Sequence, residues 1–340
     1  MQNIRVIVSS GARRLPVSMT IPSGQVRAGV VALNPAGDQS KDQILMRHLT
    51  QTLPSIGIAT VRFDRRPKRY GWNVSFAEQA DDALAALRDL IARVGNPSLP
   101  GGIWGWGDGA SAGAFAAAHS GLPKFLILIA CSGVSPAEQM RYGTAEHLRR
   151  AGFGEDAQAE LLELRLGYES AVRGTIARGA AQKIVNQYAA RPWFPIAWVP
   201  RRIQPRLVWP DMDYNPRPVF SRIVVPTLLF YGETDEWSPI NSSLETWRIG
   251  QQESQNQQIT IVRPRGTAHV PTIGSGMNAR AISPDYTYAM IDWLKALIPR
   301  INPRSSLATP ATTLGSTPGN ASESRLEGSF RRAVTSSMPS

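Results

Sequence analysis

Residues 102–139 read GIWGWGDGASAGAFAAAHSGLPKFLILIACSGVSPAEQ. An apolar run, Gly102-Ile103-Trp104-Gly105, leads into a turn with glycine at 105, 107 and 109, and the turn leads into the small-residue stretch Ala110 to Ala118. A buried strand bending sharply into a helix explains the pattern. Small residues flank such a bend because two backbones crowd there, and the side chain at its apex projects alone. The apex is Gly107, which has no side chain to present. Phe125 to Ala130 is a second apolar run, as expected of a strand covered on both faces.

Upstream, Ala28-Gly29-Val30-Val31-Ala32-Leu33 is a third such run and stops at the turn-forming Asn34-Pro35-Ala36-Gly37-Asp38. The first residues alternate like a strand pair. A helical stretch around 42–54 precedes the strand Ile58 to Phe63, a basic loop occupies 64–71, and residues 76–94 carry apolar positions at helical spacing. Downstream, Val224 to Tyr231 and Ile259 to Val262 read as strands and Tyr286 to Leu297 as a helix. Strand, loop and helix alternate in both halves, which predicts an α/β fold with a doubly wound, mainly parallel sheet. Residues 137–220 break the rhythm with helical segments and a stretch dense in Pro, Trp and Arg; a helical cap inserted over the C-terminal edge of the sheet is the expected organisation. The core is then 1–136 and 221–300. Residues 301–340 are rich in Ser, Thr, Pro, Gly and Ala and are expected to be a disordered tail.

Composition narrows the function. No apolar run among the 340 residues approaches the length of a membrane span, and the N-terminus lacks the features of a secretory signal, so a cytoplasmic protein with no membrane span is expected. One cysteine, Cys131, rules out an internal disulfide, and four scattered histidines offer no ligand-spaced cluster, so neither a metal nor another cofactor is expected. The net charge of +11 comes from Lys and Arg spread along the chain with no nucleic-acid motif, which argues against nucleic acid and leaves a solvated basic face or an anionic ligand. The densest runs are Arg62, Arg65, Arg66, Lys68 and Arg69, and then Arg191, Arg201, Arg202 and Arg206 interleaved with Trp193, Trp198 and Trp209.

The segment 102–139 resembles the alpha/beta-hydrolase superfamily, in particular its serine hydrolases and peptidase-like esterases, whose elbow reads G-x-S-x-G-G after a buried strand. The resemblance spans about residues 20–300 and places Gly105 and Gly109 at the flanking positions and Gly107 at that of the nucleophile. It implies that Asp235, in Gly232-Glu233-Thr234-Asp235, is the triad acid and that His269, in Arg265-Gly266-Thr267-Ala268-His269, is the base, in the chain order this fold requires. It also makes Asn34 to Asp38 the oxyanion loop. Pro35 has no N–H there, so the backbone donors would be those of Ala36 and Asp108. An Asp at 108 is a poor neighbour for a developing oxyanion, and helix-start chemistry explains it equally well. Trp106 beside the elbow, with Trp193 and Trp198 in the expected cap, completes the candidate substrate-binding set with Asn34.

Three functions follow for an elbow without serine. In the first, His269 and Asp235 act as a general base for water attack, elimination, isomerisation or cyclisation on a small hydrophobic or anionic metabolite, chemistry suited to a specialised biosynthetic pathway. The second keeps only a pocket, giving an inactive hydrolase-fold protein that binds a ligand or partner. The third moves the nucleophile to Asp108, which requires a one-residue register shift and puts Trp106 where a small residue is favoured. Cys131, at the end of an apolar strand, reads more simply as core than as a nucleophile.

Overall fold

The alternating N-terminal residues pair as the antiparallel hairpin β1 (Gln2–Ser10) and β2 (Arg13–Ile21), turning at Gly11. The computed structural model that shows this describes residues 1–37, 40–69, 73–274 and 276–301. β3 (Ala28–Leu33), buried at every position, lies parallel to both β4 (Ile58–Phe63) and β5 (Gly101–Trp106). β6 (Pro123–Ile129), β7 (Thr227–Phe230) and β8 (Ile259–Val262) extend the sheet in parallel. The eight strands run in the order β1-β2-β4-β3-β5-β6-β7-β8, with the hairpin joined antiparallel to β4. β7 is shorter than the expected 224–231 because Pro226 has no N–H to give a ladder, and Val224 is exposed.

Parallel neighbours need crossovers, and these cover both faces of the sheet. Helix α1 (Ile44–Thr52) lies on one face. Helices α2 (Phe76–Val94) and α3 (Asp108–His119) lie on the other. The periodic residues 76–94 become one helix bounded by a Ser75–Glu78 capping box and by Gly95 in the left-handed conformation. α3 is made of small residues because it sits almost on the strands: a Cβ on Gly109 would lie 2.5 Å from the Asn34 carbonyl, and one on Gly105 would lie 2.3 Å from that of Gly109.

Between β6 and β7 come α4 (Pro136–Arg150), α5 (Glu155–Arg173), α6 (Arg178–Tyr188) and the single turn α7 (Arg217–Phe220). Most of these helices share a hydrophobic cluster of their own, with Leu148, Leu161, Leu164, Val185, Trp193 and Phe194 at its centre. Inside it the fully buried Arg165 and Glu169 pair at 3.0 Å, Arg165 also donates to the Ala197 carbonyl, and Arg141 reaches Glu169 from α4. The chain returns through α8 (Ile240–Ser254), which packs against α7 on the face that carries α2 and α3, and α9 (Pro284–Ile301), on the face that carries α1. No helix among the described residues is long and apolar enough to cross a membrane. Beyond Ile301, the expected disordered tail lies outside the described residues.

Candidate active site

β5 is an inner strand, flanked by β3 and β6, and its C-terminal end delivers Gly107 to the edge of the sheet where ligands bind in open α/β folds. Gly107 has φ +56° and ψ −121°, its N–H donates to the Ile129 carbonyl, and its own carbonyl accepts from Ala110 and Ser111. The strand therefore reverses into α3 within one residue. Gly107 is the residue at positive φ and Asp108 is the first residue of the helix, so the elbow is in the register read from the sequence.

Two loops bring the acid and the histidine to this elbow. The loop after β7 carries Asp235 and the loop after β8 carries His269, and they are tied by the Thr234 N–H donating to the Thr267 carbonyl. They touch so closely that a Cβ on Gly232 would fall 1.8 Å from the Ala268 carbonyl, so only glycine fits there. Asp235 is buried, and its Oδ1 accepts from the backbone N–H groups of Trp237 and Ser238 and lies 2.9 Å from His269 Nδ1. The His269 N–H donates to Glu236, and Trp106 Nε1 donates to the His269 carbonyl at 3.2 Å, fixing the imidazole from both ends of its residue. His269 Nε2 then faces the elbow, 3.7 Å from the place a Cβ on Gly107 would take.

The electrostatics follow from this packing. Burial opposes the imidazolium of His269, but the charge and hydrogen bond of Asp235, with smaller help from Glu236 and Asp108, outweigh it and raise the pKa above the ordinary histidine value. Burial likewise opposes the Asp235 carboxylate, yet His269 and the two backbone donors hold its pKa below the usual value.

The loop after β3 is braced from below. Asn34 is buried and donates to the Phe63 carbonyl. The Arg65 guanidinium, its side chain 2% exposed, donates to the Asn34 and Pro35 carbonyls and to Asp108 Oδ2 at 2.9 Å. Asn73 donates to the same Asp108 oxygen and accepts the Gly37 N–H. Ala36 is exposed beside this bracing.

Of the expected site residues, Gly107, Asp235, His269, Trp106, Asp108, Asn34 and Ala36 thus gather at one end of the sheet, while Trp193 and Trp198 separate from each other. Trp193 is buried in the cluster of inserted helices against Tyr188, with its N–H toward Glu160. Trp198 is 65% exposed at φ +50° and meets Trp237 edge-on. The basic runs, open to an anionic ligand on sequence grounds, pair in part with the protein's own carboxylates: Arg62 with Asp42, Arg66 with Asp82, Arg69 with Glu78 and Arg191 with Glu160. Cys131 is fully buried and burial raises its thiol pKa, as befits a core residue. Sequence reasoning missed Arg65, Asn73 and Trp237. Arg65 was visible only as one member of a basic run, and nothing local marks Asn73 or Trp237.

No protein-family model and no curated protein sequence matches the chain. Solved structures do. An esterase from Pyrococcus furiosus superposes with a TM-score of 0.53 at 13% identity, over 87% of this chain and 92% of that one. A thermostable carboxyl esterase from Bacillus coagulans, solved with glycerol, gives 0.53 at 15% identity over 87% and 98%. VinJ gives 0.53 at 17% identity over 86% and 99%. At these identities the likeness concerns the fold, and with the sheet order above it makes this an α/β-hydrolase-fold protein.

Proposed function

We propose that this α/β-hydrolase-fold chain is an enzyme in which His269, oriented by Asp235, acts as a general base without a covalent intermediate. The observation that carries the reading is the 2.9 Å His269–Asp235 hydrogen bond on an imidazole whose other nitrogen faces the Gly107 elbow. The carboxylate selects the tautomer with the proton on Nδ1, which leaves Nε2 as the acceptor, and it stabilises the imidazolium once a proton has been taken. With no hydroxyl between Nε2 and the bound molecule, the proton comes from water or from the substrate itself. Water attack, elimination, isomerisation and cyclisation are the reactions open to such a base on a small molecule, and all fit a role in a specialised biosynthetic pathway. The helices between β6 and β7 serve as the cap: Tyr142 of α4 comes to the Asp235 carbonyl at 3.5 Å, and Arg150 donates to that of Thr234.

The test is turnover of a panel of activated esters, lactones and β-hydroxy carbonyl compounds by wild type, His269→Ala and Asp235→Asn. Activity in the wild type that His269→Ala removes and Asp235→Asn weakens supports the reading; activity indifferent to His269 sinks it. A second reading, a ligand-binding protein without catalysis, is favoured by the missing nucleophile at Gly107 and by the missing N–H at Pro35. Asp108 as nucleophile is the third. Its carboxylate is held by Arg65 and Asn73, and a single turnover in labelled water leaving label in Asp108 would support it.

A further inference from the structure

Helix α4 of the cap rests on four successive residues of the loop that carries Asp235. The Arg150 guanidinium donates to the Thr234 carbonyl at 3.0 Å, the Tyr142 hydroxyl reaches the Asp235 carbonyl at 3.5 Å, and Arg150 Nη1 lies 3.8 Å from Glu236 Oε2. The Trp237 ring packs on α4 where that helix has glycine, since a Cβ on Gly143 would fall 2.2 Å from it. Glu236 stands between the helix and the histidine. The oxygen that faces Arg150 is the one that accepts the His269 N–H at 3.2 Å, and the Glu236 side chain is only 17% exposed. Glu233 makes the same kind of bond, to the Gly266 N–H, but from an exposed position. Arg150 is aimed from within α4, where Glu146, one turn earlier, accepts its Nε–H at 2.6 Å. A movement of α4 therefore moves the guanidinium with it.

A partly exposed pair at this separation is weak, so it can part when the cap lifts. Glu236 is then freer to turn from the His269 N–H, and the histidine is left to its bonds with Asp235 and Trp106. We infer that Glu236 is a positioning residue that ties the seating of α4 to the orientation of the His269 imidazole. The inference rests on the reading of His269 as the base. It assigns the two neighbouring carboxylates different work: Asp235 selects the tautomer, and Glu236 holds the histidine in place while the cap is seated. Glu236 also contributes its charge. Burial opposes the imidazolium, and Asp235, then Glu236 and Asp108, act against burial.

The experiment follows the His269 Nδ1 proton, shifted downfield by its bond to Asp235, in the full-length protein by NMR. The His48 imidazole, held between α1 and α9 at Thr287, reports whether each variant is folded. Glu236→Ala should quicken exchange of the Nδ1 proton with water at least about tenfold, whereas Glu236→Gln, which keeps an acceptor for the N–H, should stay within about threefold of wild type. In Glu236→Gln the imidazole midpoint should also fall, by less than in Asp235→Asn, because one charge is gone and the bond remains. Arg150→Met should quicken exchange at least about threefold in wild type and add nothing in the Glu236→Ala background. Arg150 is exposed, so its replacement in wild type keeps the test if Glu236→Ala does not fold. An absent downfield proton in wild type, exchange indifferent to Glu236→Ala or Arg150→Met, an Arg150→Met effect that persists without Glu236, or an unmoved midpoint in Glu236→Gln overturns the inference. Turnover that needs His269 while exchange ignores both variants sinks the positioning role alone; turnover that ignores His269 while exchange responds sinks the general base alone.

Discussion

His269 Nε2 stands 3.7 Å from the position of a Cβ built on Gly107, and the nearest other atom to that Cβ, on Pro35, is at 3.4 Å. Both are ordinary contact distances, so space for a serine side chain exists, and it points at the base. What a serine meets instead is the backbone, held at φ +56°.

Gly107→Ser is therefore expected to create ester hydrolysis with a burst of released p-nitrophenol from p-nitrophenyl acetate, at a modest rate because the loop after β3 offers no N–H at Pro35. The same substitution should lower stability by about 1–3 kcal/mol, the usual cost of a non-glycine residue in such a conformation, read as a shift in urea midpoint at constant slope. No burst in a folded variant would mean that His269 does not reach the elbow in solution.

The raised pKa of His269 can be read directly from its imidazole proton resonances. The midpoint should exceed the ordinary value of 6.5, and Asp235→Asn should bring it down, because burial then opposes the charge with less in return. As the base must be neutral, activity that depends on His269 should rise with pH through this same midpoint. A midpoint below 6.5 in wild type, or one unmoved in Asp235→Asn, contradicts the ion-pair geometry.

Stability should carry the matching pH dependence. A raised histidine contributes in full below its ordinary value of 6.5 and loses that contribution as pH rises through the folded-state value. A depressed carboxylate contributes above its ordinary value of 3.8 and loses it as pH falls through the folded-state value. The stability difference between wild type and Asp235→Asn should accordingly be largest between these two ordinary values and shrink on the alkaline side; a difference that grows above neutrality would contradict this linkage.

Arg65→Met removes the guanidinium that joins the Asn34 and Pro35 carbonyls to Asp108. A loss on the order of 3 kcal/mol is expected, because two buried carbonyls lose their donor together with the partner of a carboxylate. A double-mutant cycle with Asp108→Ala, measured by denaturant unfolding, should show positive coupling, and additivity would mean that the pair does not act as a unit.

Arg165→Met takes one arginine from the buried Glu169, leaves it to Arg141, and should cost about 3 kcal/mol, whereas Arg165→Met with Glu169→Leu should recover part of it, since an apolar pair of similar volume spares both charges their desolvation. Equal losses in the single and double variants would show that the ion pair itself, and not an under-compensated Glu169, sets the cost.

The sheet was legible in the chain because its signals are local. Runs such as Ala28 to Leu33 can satisfy neither water nor an amphipathic helix, and the glycines at 105, 107 and 109 have no better use than a tight strand-to-helix bend. Asp235 and His269 could be named in advance because the segments that carry them resemble the acid and histidine loops of the alpha/beta-hydrolases, in the same chain order. The partners of these residues were not legible. Arg65 stood in a run of five basic residues, and only the return of β4 beneath the loop after β3 separates it from Arg62, Arg66 and Arg69, which turn to Asp42, Asp82 and Glu78. Trp193 and Trp198 look equivalent in sequence, five residues apart, yet one is sealed in a hydrophobic cluster and the other stands exposed.

The sequence alone determined the order of strands and helices, the bend at Gly107 and the absence of a hydroxyl there, since these depend on the periodicity and size of neighbouring residues. Only the tertiary structure decided that Asp235 and His269 meet at 2.9 Å, and that Asp108 is held by Arg65 and Asn73. Those contacts join residues more than thirty positions apart in the chain, and their geometry is fixed by the packing of strands that no local pattern encodes.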